Sequence, residues 1–473
     1  MKKIRKRSTY NIALWAILCL ALLFPAPRGA FGLSLDDEAA LGQKYLAILH
    51  QQFDFVDDEF ATGYINALGQ YLTKPLETKY FPFRFYIVKS SDLNAFAVPG
   101  GYVFVYSGLI EAADQVDELA SVICHEMGHI SARHIAYQIE QSKKLNIMAL
   151  AGVLAGILVG GEAGGAIMAG TLAAGQQMQL NYSRDDERQA DQLGVKYMEE
   201  SGFDPSAEIT IMKKLTESSW GSVSKIPNYL LTHPSGPERM ADIESMISSQ
   251  TRRPETSMAA QFRGQFPAFR TMVRATSMDP IQGEREFRNE LERDPESILA
   301  HFGLAIVLKE KMEYGRSIEH FQDALKGNKY VLPILAHMGE AYQLEGRDDE
   351  AIEVLNRALQ MDQRNRATLF LLAQSYQNME DYSKAIGLYE NLTYMKPVRN
   401  EVFYNLGVCY GRENRLARAH YNFGIYFRRL GEIEKARFHF EKANALCGND
   451  QVLRERIQQG LKGLDRAGPG HSG

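Results

Sequence analysis

Residues 118–134 read ELASVICHEMGHISARH, and the five at the centre, His125-Glu126-Met127-Gly128-His129, decide what the rest must fold around. Residues four apart on a helix lie one turn above each other on the same face, so both imidazoles can reach a single ion. An H-E-x-x-H pattern on a helix is a zinc-binding pattern, with Glu126 beside the first histidine to accept a proton from water. Two histidines leave a catalytic zinc short of a third protein ligand. The acid-rich stretch SRDDERQADQLG (183–194) offers one. Glu187 and Asp191 share a helix face there, so Glu187 can complete a His₂Glu set. Asp191 can orient a ligand histidine through its free ring N–H. Asp185 and Asp186 are alternatives at other helix angles, and a merely solvated acidic helix is compatible with the spacing. The expected cofactor is one Zn²⁺ per chain.

Outward from this centre the pattern is mostly helical. Two amphipathic stretches occupy residues 34 to about 75, and FPFRFYIVKS (81–90) reads as a strand. NAFAVPGGYVFVYSGLI (94–110) reads as two strands around Pro99-Gly100-Gly101. The segment 113–144 reads as one long helix. Residues 145–174 are apolar and rich in Gly and Ala, split at Gly160-Gly161 and Glu162 into runs short for a bilayer. A buried helical hairpin and a mobile lid or membrane-contacting loop are equally compatible with them. Helices follow to about residue 248. The polar stretch from 251 to 282 reads as a linker region.

Beyond the linker an internal repeat emerges. Gly339, Ala373 and Gly407 are spaced by 34 and 34 residues, and Ala351, Ala385 and Ala419 each follow twelve later. This is the tetratricopeptide period, with small residues where paired helices approach closely. An earlier copy carries Gly303 and Ser317. Gly424 and Ala436 repeat the twelve-residue interval, so a helix near 416–430 closes one repeat and opens the next.

The whole reads as mainly α with a small β-sheet. The expected divisions are a signal peptide over 1–32, a metallopeptidase domain over 33–250, a linker over 251–282, repeats over 283–450 and a tail over 451–473. The N-terminus has a basic MKKIRKR followed by thirteen apolar residues, Ile12 to Phe24, and a small-residue site. Cleavage after Gly32 and export are expected. Cys124, Cys409 and Cys447 would remain. Cys124 reads as a buried structural thiol, and Cys409 and Cys447 could pair. With 53 basic against 58 acidic residues, net charge −5, there is no electrostatic case for a nucleic-acid partner.

NAFAVPGGYVFVYSGLI, ELASVICHEMGHISARH, YSRDDERQADQLG and THPSGPERM, in this order, resemble the gluzincin-type family of the CAAX prenyl endopeptidases and the heat-shock membrane protease. The resemblance covers about 35–250 and implies a zincin-like peptidase domain, here followed by an α-solenoid of repeats. It makes Glu187 the third zinc ligand and Asn94, Ala95, Phe96 and Ala97 the strand that aligns substrate backbone. It also makes His233 a regulatory fourth ligand, where the residues alone suggest an ordinary loop histidine. Arg239 and Tyr229 are candidates for steadying an oxyanion. Export and repeats together narrow the resemblance to periplasmic members. These imply degradation of misfolded or stalled outer-membrane proteins, help in their assembly, repeats that bind assembly machinery or client, and at most peripheral membrane contact. The competing reading is a repeat-based chaperone or adaptor with a closed, largely inactive zinc site.

Overall fold

A computed structural model of the chain describes residues 33–141, 182–220, 227–234, 236–248, 254–396 and 398–467. The expected signal peptide and the apolar 145–174 run lie outside the described residues. Among the described residues, no helix is long and apolar enough to cross a membrane.

Two helices open the described chain, α1 (Leu35–Gln52) and α2 (Glu59–Leu72). Ser34 and Asp58 cap them by accepting from the N–H groups of Asp37 and Ala61, which satisfies donors left free at a helix start. Strands β1 (Arg84–Val88), β2 (Ala95–Val98) and β3 (Tyr102–Tyr106) form one sheet in the order β1-β3-β2. β2 and β3 are the expected hairpin, antiparallel, and β1 runs parallel to β3. The turn needs its glycines: Gly100 and Gly101 have φ of 84° and 89°, where a Cβ is strained. With β3 in the middle, β2 is an edge strand of the sheet.

After the short α3 (Ser107–Ala112) comes α4 (Val116–Ser131), which carries the H-E-x-x-H residues and is buried along nearly its whole length. The expected long helix breaks there. Arg133 takes φ 58°, and α5 (His134–Gln141) starts in a new direction. α6 (Arg184–Glu200) packs along α4, with a capping box between Ser183 and Asp186 at its start. The two helices meet at Gly128, where a Cβ would lie 2.7 Å from the Ala190 carbonyl oxygen. Of the helices α7 (Ser206–Trp220), α8 (Asn228–Thr232) and α9 (Pro237–Ser248), α7 packs on α4 and α9 packs on α6 and α7.

The expected linker is instead a core element. α10 (Ser257–Ser277) buries Ala259, Phe262, Phe266, Phe269, Met272 and Val273, an apolar stripe hidden among polar neighbours and interrupted by Pro267. It packs on α2, α3 and α4 on one side and on the repeats on the other.

The repeats begin after α11 (Pro280–Arg293) with the hairpin α12 (Ile298–Glu310) and α13 (Tyr314–Lys326). The pairs α14 (Val331–Leu344) and α15 (Asp348–Met361), α16 (Arg366–Asn378) and α17 (Tyr382–Thr393), and α18 (Asn400–Arg412) and α19 (Leu416–Arg429) follow, then α20 (Ile433–Leu446). Gly339 lets Leu355 of the paired helix approach within 2.6 Å of where a Cβ would stand. α19 packs on both α18 and α20. The expected tail is a further helix, α21 (Gln451–Ala467), which buries Leu453, Ile457 and Leu464 against Phe440. Cys409 and Cys447 are free thiols in separate clusters rather than a pair, and Cys124 is a fully buried thiol.

One hydrophobic cluster runs from Val56 and the sheet through α4 and α10 into the repeats as far as Leu372. The array also folds back onto the start of α2. Arg399 reaches Glu59 at 2.6 Å, the His337 Nε2 is 3.3 Å from Asp58, and the Phe60 and His337 rings lie 5.7 Å apart.

Candidate metal centre

α4 presents His125 and His129 on one face, with Nε2 atoms 3.0 Å apart. α6 brings Glu187 to them, its carboxylate 3.4 Å from His129 Nε2 and 3.6 Å from His125 Nε2. The loop after α8 adds His233, whose Nδ1 is 2.9 Å from Glu187 and 3.2 Å from His125 Nε2. All four side chains are buried, and their ligand atoms lie within 4.8 Å of one another.

The outer hydrogen bonds decide whether this donor set fits a cation. His125 Nδ1 donates to Asp191 at 2.8 Å. His134 Nε2 lies 3.0 Å from the Gln189 side-chain oxygen, an acceptor, so His134 carries its proton there and leaves Nδ1 to accept from His129 Nδ1 at 2.9 Å. Both ligand candidates are thereby protonated on Nδ1, and both Nε2 lone pairs face the same point beside a carboxylate. Burial also pushes the His129 imidazole well below its ordinary range, which keeps it neutral. Two proton-free nitrogens at 3.0 Å repel unless a cation sits between them and the acid. The residues therefore fit a divalent ion, and nitrogen with carboxylate oxygen is a zinc-type set.

Arg239, on α9, reaches the two acids of α6. Its guanidinium contacts Glu187 at 2.6 Å and grips Asp191 at 2.8 and 2.7 Å, behind the nitrogens. Burial would raise both buried carboxylates, but His233 and His129 hold Glu187 well below the carboxylate range, and His125 and Arg239 hold Asp191 down. Beside them Glu208 is pushed well up by burial and by Asp191. The described residues show Arg239, a candidate for steadying an oxyanion, in contact with these acids and with His125. Tyr229 stacks on His233, ring centroids 4.7 Å apart. Asp185 is exposed against Arg188, and Asp186 is spent on the helix cap.

Glu126 is wholly buried, and burial pushes its carboxyl up against the opposing pull of His233 and His125. The Ala97 N–H of β2 approaches it and His233 Nε2 lies 3.4 Å from Oε1, yet neither carboxyl oxygen has a hydrogen-bond partner of full geometry among the described residues. A buried carboxyl short of full hydrogen bonds is costly and marks a group kept for chemistry. Asn94 to Ala97 line the edge directly over it, all four buried.

Three contributors had no role assigned from sequence. His134 orients His129, Tyr182 lies against it with ring centroids 3.7 Å apart, and Glu208 backs Asp191. His134 alone left a signal: it follows the second histidine by five residues, just past the helix break.

Comparison with known proteins agrees with this geometry. The model of peptidase family M48 matches residues 60–247. Tetratricopeptide repeat models match 370–421, 332–365 and 417–450. The β-barrel assembly-enhancing protease of Yersinia pestis is 30% identical over 378 residues, 77% of this chain and 75% of that protein. Its Escherichia coli K12 counterpart is 30% identical over 342 residues, covering 69% and 66%. A mitochondrial metalloendopeptidase of Schizosaccharomyces pombe is 30% identical over 172 residues, 36% of this chain and 49% of that one.

Proposed function

The chain belongs to peptidase family M48 and is a metallopeptidase with C-terminal tetratricopeptide repeats, and from this premise we propose an envelope endopeptidase that holds one zinc ion per chain on His125, His129 and Glu187. The observation that carries the reading is the pair of proton-free Nε2 atoms facing Glu187, with the wholly buried Glu126 carboxyl alongside.

When bound, the ion would supply Lewis acidity, acidifying a water and polarising a peptide carbonyl. Glu126 takes the proton from that water and returns it to the leaving amine, a role favoured by its raised affinity for protons. Asp191 and His134 hold the two imidazoles in the ligand tautomer. Arg239 holds Glu187 and Asp191 in place and helps keep Asp191 charged. The edge of β2, Asn94 to Ala97, aligns an extended peptide by strand addition. His233 Nδ1 points at the same centre, so it would hold the position that water needs until the segment after α8 shifts.

In this reading the clients are misfolded or stalled outer-membrane proteins of the periplasm and the repeats bind client or assembly machinery; the relatives named as β-barrel assembly-enhancing proteases support the link to β-barrel assembly. The closeness of His233 also favours a second reading, in which the site rests closed and the repeats act as chaperone or adaptor. Zinc content and casein cleavage of the purified chain separate the two. The peptidase reading expects about one equivalent of zinc at this centre, cleavage abolished with zinc retained in Glu126→Gln, zinc lost in Glu187→Ala, and faster cleavage in His233→Ala. Envelope function that survives Glu126→Gln intact would favour the adaptor.

A further inference from the structure

A second cluster of metal-ligating groups lies in the first repeat, far along the chain from the peptidase centre. His301 stands on α12, and His320 and Asp323 stand three apart on α13, on one helix face. The Nδ1 atoms of His301 and His320 are 2.9 Å apart, and Asp323 Oδ2 is 3.8 Å from His301 Nδ1. All three ligand atoms lie within 4.8 Å of one another.

The proton on His301 is placed by its surroundings. Its Nε2 is 2.9 Å from the Pro295 carbonyl oxygen. A carbonyl only accepts, so the ring carries its proton at Nε2 and turns a bare Nδ1 lone pair toward His320 and Asp323. Metal-binding histidines are held in this same way, the far nitrogen donating to a carbonyl. Asp323 has one oxygen engaged by Lys326 at 2.6 Å, which leaves the other toward the histidines. All three side chains are half-buried, so an ion can enter from solvent.

The chain carries an internal comparison. His420 and His439 repeat the same 19-residue interval on α19 and α20, again with Nδ1 atoms 3.0 Å apart. There the rings pack among aromatics: Phe423 and Phe427 each lie 5.3 Å from His439, and Phe427 stacks on it. No carboxylate completes that pair among the described residues. An aromatic nest explains the later pair as packing. The earlier pair has the acid and no such nest.

We propose that His301, His320 and Asp323 form a second divalent transition-metal site, suited to Zn²⁺ or Ni²⁺, that pins α12 to α13 at the start of the repeat array. Imidazole and carboxylate suit these ions, and a water fills the open position. The site is independent of the peptidase centre, and binding there stabilises the array by mass action.

The test counts zinc in the full chain after chelator stripping and reloading. Two equivalents are expected in wild type, one in His320→Gln and two in His439→Gln, with casein cleavage unchanged in His320→Gln. In the Glu187→Ala background, Ni²⁺ should still raise Tm, and the added His320→Gln should remove that rise. Asp323→Asn should weaken the second equivalent at least about tenfold and serves if His320→Gln misfolds by circular dichroism. Equal zinc counts in wild type and His320→Gln, or a Ni²⁺ response indifferent to His320, would overturn the proposal and leave a plain imidazole–imidazole hydrogen bond. Wild type with one equivalent and His320→Gln with none would instead sink the peptidase-centre reading and keep this one.

Discussion

His134 Nδ1 lies 2.9 Å from His129 Nδ1, and its own proton is engaged on the other side of the ring by Gln189. One side chain just past a helix break therefore dictates which nitrogen of His129 is free for a metal. His134→Ala should leave the fold intact and weaken zinc binding about 10- to 100-fold. Competition against a chromogenic chelator reads this directly. Unchanged affinity would mean that His129 finds its tautomer without help.

Gly128 is a second positioning residue, through packing rather than hydrogen bonding. A methyl group there would meet the Ala190 carbonyl oxygen at 2.7 Å, forcing α6 away from α4 and carrying Glu187 with it. Gly128→Ala should cost about 1–3 kcal/mol in urea unfolding and lower zinc content together with stability. A variant of normal stability and full zinc would show that the two helices can slide without penalty.

Lys309 and Glu340 form an ion pair between the first and second repeats, with Lys309 buried and His337 beside both. Burial would lower the Lys309 ammonium, but Glu340 holds it above its ordinary range. Burial would raise the Glu340 carboxyl, but Lys309 and His337 hold it well below its own. The sign follows from each. The contribution of Glu340 is present above the ordinary carboxylate range and is lost as pH falls through its depressed value. That of Lys309 is present below the ordinary lysine range and is lost as pH rises through its elevated one. Glu340→Gln strands a buried charge and should cost about 2 kcal/mol at neutral pH, discounted for the partial exposure of Glu340. The Tm gap from wild type should hold steady from mildly acidic to mildly alkaline solution and close only in strong acid. A gap that closed near neutrality would assign the stability to His337 instead.

A fragment ending after α10, at residue 278, should be insoluble or molten. Its removal of the repeats uncovers the face of α10 that packs on α12 and exposes part of one continuous cluster. The Arg399–Glu59 pair is a small part of that dependence. As a surface contact it is worth about 0–1 kcal/mol, so Arg399→Ala should barely move Tm where the truncation abolishes cooperative unfolding. Differential scanning calorimetry distinguishes the two. A fragment with its own sharp transition would contradict the shared core.

The elements with local periodicity were legible before any coordinates. The H-E-x-x-H face, the Pro99-Gly100-Gly101 hairpin and the 34-residue repeat each follow from spacing within one segment. α10 was not legible as a core helix, because its Phe262, Phe266 and Phe269 stripe is diluted by arginine, glutamine and threonine and crossed by Pro267. α21 was hidden for the same reason, three buried aliphatics in a polar helix. At the centre, Glu187 could be nominated by its spacing from Asp191, whereas the place of Arg239 behind both acids could not. That contact joins α6 to α9 across 48 residues, and only tertiary packing specifies it. The Cys409–Cys447 pairing failed because sequence nearness at the C-terminal end says nothing of which helix faces which.

The contact between Asp58, Glu59 and Phe60 and the repeat residues His337 and Arg399 has a further consequence for how such a molecule can evolve. A recognition arm joined by a tether can be exchanged for another, lengthened or lost while the enzyme carries on. Here the arm and the enzyme share an interior, so a change in what the arm recognises must be made by surface substitution within the existing helices, and inheritance of the two halves is tied together.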